Sequence, residues 1–270
     1  MKILPMEIFL KNLNELETEK YIRKETSMAY IWINPVTAGM YAPEVLDRFL
    51  TSHGYKRFHT EKDWLTVVKE KYREAIHQTT HTVIDMRCPK IKELLIDYKL
   101  EPKYNINIPD IYPILIHCSQ EASEREDLLK EEKIITTPCQ ALADMGNALE
   151  LPKTSFVPWR QFLQSLGEEP DGIVPQESPI PPGFFTDLDV KSVSISGEEE
   201  IRDYFENFVP DQVQVAELLF CKNGCHNGDG IRGCAEIACS ANGCCREDDT
   251  KQISSKSDIS LSDEIKGNKS

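Results

Sequence analysis

Apolar positions recur in this chain at two spacings, and together they predict alternating helices and short strands. Pro43 to His53 reads as a helix, with proline in its first turn and Gly54 just past its end. A longer helix is predicted from about Glu61 to Gln78: Thr60 with Asp63 suggests a capping box, and Trp64, Val67, Val68, Tyr72, Ala75 and Ile76 form one apolar stripe. Ahead of them, Tyr30-Ile31-Trp32-Ile33 has the composition of a strand and ends at Asn34-Pro35.

An apolar run that leads into a cysteine and then a helix occurs twice. Thr82-Val83-Ile84-Asp85-Met86-Arg87-Cys88-Pro89 runs into a predicted helix from Lys90 to Lys99, on which Ile91, Leu94 and Leu95 share a face. Lys133-Ile134-Ile135-Thr136-Thr137-Pro138-Cys139 runs into another from Gln140 to Leu149. Both thiols are thereby expected at the C-terminal end of a strand, where open α/β sheets collect ligands. A helix N-terminus at that place is expected to lower the thiol pKa and favour the thiolate.

Residues 167 to 183 are rich in proline and glycine and read as an extended crossover. Ser196 followed by Glu199 predicts a helix through about Phe208, with Glu198, Glu199 and Glu200 suited to its first turn. The apolar run from Val213 to Phe220 then delivers Cys221 and Cys225 to a turn carrying Gly224, Gly228 and Gly230. From Arg246 onward there is little to bury, which predicts a disordered tail.

The 270 residues are enough for one sizeable core, and 40% hydrophobic with 28% charged residues is ordinary for a water-soluble protein. A net charge of -14, with 45 acids against 31 bases, argues against nucleic acid or an anionic membrane as partner. A redox partner protein or a small ligand suits this charge better. The N-terminus has no signal-peptide pattern and no stretch has the length of a membrane helix, so a cytoplasmic protein is expected.

Nine cysteines in such a chain suggest metal ligands or reduced thiols before a disulfide framework. Cys88, Cys139, Cys221 and Cys225 each follow an apolar run and precede a helix or glycine turn, so one fold could bring them to a common edge. Four thiolates are what a 4Fe-4S cluster requires, although a zinc site would use the same donors. Cys234, Cys239, Cys244 and Cys245 form a second, extension-borne group that could hold another cluster or zinc. Cys118 lies in an apolar stretch and reads as a buried thiol, and His226 as a solvated or supporting neighbour of Cys225. No phosphate loop, nucleophile elbow or dinucleotide fingerprint appears.

The segment from Glu217 to Gly230 resembles the third signature of the iron-only, di-iron hydrogenases: Glu, an apolar pair, Cys, three residues ending in Gly, Cys, then a glycine-rich turn. Cys88-Pro89 is similar to the end of that family's first signature and Pro138-Cys139 to its second, in the same order, so the likeness spans roughly residues 80 to 232. It implies an α/β fold of mixed sheet and flanking helices, with the four thiols as cubane ligands. With the patterns read outside that stretch, the expected division is a mainly helical region 1–80, a hydrogenase-like iron-sulfur domain 81–232, a Cys-rich extension 233–245 and a disordered tail 246–270.

Three positions depart from the family. Arg87 stands where the hydrogenases carry a proton-relaying cysteine, and Leu142 and Met145 replace a lysine and an acid of the second signature, the lysine being the residue that holds the cyanide ligands of the di-iron unit. The insertion between the second and third signatures is also much shorter. The resemblance so modified implies a 4Fe-4S protein for electron transfer or redox sensing, without hydrogen turnover. The alternatives are a divergent hydrogenase that keeps a di-iron unit, and a factor for iron-sulfur cluster assembly or delivery.

Overall fold

The computed structural model describes residues 28–104, 106–169 and 172–232. Seven strands run β1 (Ala29–Trp32), β2 (Tyr55–Arg57), β3 (Val83–Ile84), β4 (Lys133–Thr137), β5 (Thr154–Pro158), β6 (Ser192–Ser196) and β7 (Val215–Leu219). The helices between them are α1 (Pro35–Ala38), α2 (Pro43–Ser52), α3 (Trp64–His77), α4 (Pro89–Tyr98), α5 (Leu100–Tyr104), α6 (Ile114–Glu124), α7 (Gln140–Asn147), α8 (Trp159–Ser165) and α9 (Glu198–Glu206).

The strands form two sheets, one in the order β2-β1-β4-β5 and one in the order β3-β7-β6. Every pairing in both is parallel, so the fold is α/β with flanking helices, and the mixed sheet expected from the sequence is corrected to two parallel ones. The cause lies in the connections: each strand is followed by a helical crossover or a long loop, and a strand returned in that way lies parallel to its neighbour. The stretch up to residue 80 contributes β1 and β2 to the same sheet as β4 and β5, so no boundary at residue 80 appears in the strand pairing.

Both sheets are covered on two faces, as parallel sheets must be. Along β1 the side chains alternate: Ile31 packs with Leu46, Leu50, Trp159 and Phe162, while Trp32 packs with Ile116, Ile135 and Phe156 on the other side. Strand β7 is buried over its whole length. Ala216 and Leu218 join Ile91, Leu95 and Phe205 on one face, and Val215 joins Tyr72, Phe184 and Phe185 on the other.

Helix starts show where local signals compete. For α3 the cap is Asp63, whose carboxylate accepts from the Thr66 N–H at 3.2 Å, in place of the expected Thr60 box; the helix begins at Trp64. For α9 the N-cap is Gly197 at φ 108°, a conformation open to glycine, in place of Ser196, and the predicted acidic first turn is present. Thiol-bearing helices start as predicted: Cys88 is the N-cap of α4 and Cys139 of α7. No helix among the described residues is long and apolar enough to cross a membrane. Cys234, Cys239, Cys244, Cys245 and the expected tail lie outside the described residues.

Candidate metal centre

Three strand ends supply the four thiols. Cys88 follows β3 and Cys221 follows β7; these strands are parallel neighbours, so both thiols leave the sheet at the same end. The backbone N–H of Phe220 lies near enough to the Cys88 sulphur to favour its thiolate form. Cys139 follows β4 in the other sheet, beside the point where β1 is flanked by β2 on one side and β4 on the other. That is the crevice where open α/β sheets accept ligands.

The glycine turn joins the two sheets. Asp229 accepts from the Gln140 N–H at 3.0 Å and so caps α7, while the Gly230 N–H donates to the Pro138 carbonyl at 3.0 Å. A Cβ added at Gly228 would lie 2.3 Å from the Pro138 oxygen, and one at Gly230 would lie 2.8 Å from the Pro138 carbonyl carbon. Backbone against backbone cannot yield as a flexible side chain can, so glycine is needed there for close approach. A Gly228→Ala chain is therefore expected to push the Cys225 turn away from Cys139 and to lose about 1–3 kcal/mol of stability. Urea unfolding compared with wild type checks this, and an unchanged midpoint would remove the turn's role in joining the sheets.

The four thiols act on one another. Burial is the first cause raising each of them above the ordinary cysteine range. At Cys221 the next causes are the charges of Cys225, Cys88 and Cys139; at Cys139 they are Cys225 and Cys88. Burial followed by Cys88 pushes the Cys225 thiol up to about 12, with the Arg87 charge opposing. The expectation that helix N-termini lower Cys88 and Cys139 is thus corrected. The N–H groups of Lys90 and Ile91 at Cys88, and of Leu142 at Cys139, do pull in that direction, but removal of the sulphurs from water outweighs them. All four cysteines are free and of intermediate exposure.

Among the described residues no three His, Cys, Asp or Glu side chains converge tightly enough to hold a single metal ion. Cys118 sits apart in α6, buried against the β1/β4/β5 face, where burial and then the charge of Glu121 push its thiol up to about 12. His226 is 3% exposed and its Nδ1 has no hydrogen-bond partner, so it is packed within the turn; of the two placements expected for it, solvated or supporting, burial corrects the solvated one.

Beneath the thiols lies a charged network that sequence reading left unassembled. The Arg87 guanidinium is bound by Asp85, Nε to Oδ1 at 3.0 Å and Nη2 to Oδ2 at 2.7 Å, and by Glu217, Nη2 to Oε1 at 2.8 Å. Its face stacks on Phe184, 3.7 Å from the ring centroid. The second Glu217 oxygen accepts from Ser194 Oγ at 2.6 Å and from the N–H groups of Gly183 at 2.5 Å and Phe184 at 3.2 Å. Burial works to lower the Arg87 pKa, yet Asp85 and then Glu217 hold it above its ordinary value. Leu142, by contrast, is simply buried, and Met145 packs beside Phe156 and Ala143. No protein-family model, curated protein or solved structure compared with this chain matches it.

Proposed function

We propose that this chain binds a 4Fe-4S cluster through Cys88, Cys139, Cys221 and Cys225 and serves in electron transfer or redox sensing. The observation that carries the reading is that thiols from three strand ends lie within each other's electrostatic reach: Cys221 is raised by all three of the others. Four soft thiol donors suit an iron-sulfur cluster. A tetrahedral zinc would need its sulphurs about 3.8 Å apart, given Zn–S bonds of about 2.3 Å.

When bound, such a cluster supplies one-electron transfer. The protein's part is to hold four thiolates and shield them. Because burial keeps these thiols protonated near neutral pH, binding releases protons, and apparent affinity rises with pH. The backbone donors at Cys88 and Cys139 help to stabilise the sulphur charge once the protons have left.

Electron transfer is favoured over hydrogen turnover because Arg87, at the relay position of the resembled enzymes, is locked between Asp85 and Glu217 and offers no transferable proton. A cytoplasmic location and a redox partner protein belong to this reading. An infrared spectrum of anaerobically purified protein tests it. The expected spectrum lacks carbonyl and cyanide bands, while bands of that kind would favour a di-iron hydrogenase instead.

A further inference from the structure

We propose that the proline-rich crossover from Ile173 to Phe184 is a strap that holds the Cys221–Cys225 turn between the two sheets, with Ser178 as its positioning residue, so that release of the strap sets how fast the turn exposes its thiols or gives up metal. The metal half of this rests on the cluster reading above. The strap runs between α8 and β6 as irregular backbone, and a connection of that kind ordinarily lies over the surface. Glu177 and Pro179 follow that rule and are exposed, yet Ser178 between them is 7% exposed.

Ser178 lies against the thiol turn. Gly224, the residue before Cys225, has φ 113°, and a Cβ placed on it would be 2.8 Å from the Ser178 Cβ and 3.1 Å from its Oγ. On either side of this contact the strap is fastened to a different sheet. Near its start the Ile173 N–H donates to the Met40 carbonyl at 3.2 Å, and Val174 packs into the apolar cluster of Ile31 and Trp159, which also receives Cys225. Near its end the Gly183 and Phe184 N–H groups donate to the Glu217 carboxylate of β7, at 2.5 and 3.2 Å, and Ile180 packs with Tyr72 and Phe185.

A segment held at both ends and touching the turn at its middle limits how far the turn can move towards it. Pro175, Pro179, Pro181 and Pro182 suit this task, because each fixes φ and so reduces the number of released conformations that compete with the fastened one. The fastenings are local, so the strap can open without the unfolding of either sheet.

The test compares wild type with two loosened chains: Pro175→Gly combined with Pro179→Gly, which frees two φ angles, and Ser178→Gly, which removes the side chain at the contact. Pro109→Gly combined with Pro152→Gly makes the same backbone change outside the strap and serves as control. In reduced, iron-free, full-length protein, alkylation of Cys221 and Cys225 by iodoacetamide at fixed pH is followed by peptide mass spectrometry. Reaction through an open state in rapid equilibrium tracks its population, so both loosened chains should react about fivefold faster than wild type, with the control pair unchanged. Wild-type rates in both loosened chains, or equal acceleration in the control pair, overturn the proposal; should the double variant not fold, Ser178→Gly decides alone.

A second arm uses the same chains after reconstitution with iron and sulfide. Loss of iron to a ferrous chelator should also be about fivefold faster from a loosened strap, and an unchanged rate overturns the metal half. Accelerated alkylation in a protein whose wild type binds no iron would support the strap and count against the cluster reading only.

Discussion

Replacing Cys139 by alanine is expected to strip most of the iron from anaerobically reconstituted protein, while Cys118→Ala and Cys244→Ala retain it. Cys139 is the one candidate ligand delivered by the four-stranded sheet; Cys88, Cys221 and Cys225 come from the loops of β3 and β7. Three thiolates leave one corner of a cubane without its protein ligand. Cys118, packed in α6 with Ala122, Leu128 and Ile135, belongs to a different face of the fold. Iron content and visible absorption of the three chains decide the matter. If Cys139→Ala keeps its iron and Cys244→Ala loses it, the ligands lie in the extension and the constellation proposed here is wrong.

Glu217→Ala should be strongly damaging to folding without touching a thiol, costing about 3–5 kcal/mol, because it removes one partner of a buried ion network. The loss leaves the Phe184 N–H and Ser194 Oγ without the acceptor they now share, and leaves the Arg87 guanidinium to Asp85 alone. It also frees the connection around Phe184 from β7, and Phe184 is the ring on which Arg87 rests. Urea denaturation measures the effect, with Glu199→Ala on the exposed side of α9 as a surface control expected within about 0.5 kcal/mol of wild type. A Glu217→Ala chain as stable as the control would mean that the network contributes nothing to the fold.

How much of this was legible in the chain depends on how local each signal is. Strands β4 and β7 were readable because their apolar runs are long for their type, and α2, α3 and α4 because their apolar stripes persist over several turns. The pair β5 and α8 escaped, since Thr154 to Ser165 is short, passes through Pro158 and carries no clean period. The parallel sense of both sheets is a property of crossovers and is invisible to periodicity.

At the site, the four thiols could be named because each ends an apolar run. What joins them was not nameable, since the contacts of Gly228 and Gly230 with Pro138 and of Arg87 with Glu217 connect residues about a hundred positions apart. One signal was present all the same. Asp85 directly follows the apolar pair of β3 and Glu217 is the one polar residue of β7, and an acid buried at such a place needs a cation or several donors to meet it. The pKa directions at Cys88 and Cys139 were misread for a related reason: the helix N-terminus is visible in the sequence, but the depth of burial that outweighs it is not.

The most direct test of the central claim is the iron and acid-labile sulfide content of the full chain after anaerobic reconstitution. About four of each per chain, with the broad visible absorption of a cubane that bleaches on reduction, is the predicted result. Protein that takes up zinc alone, or no stoichiometric iron and sulfide, would contradict the assignment of Cys88, Cys139, Cys221 and Cys225 as a cluster site.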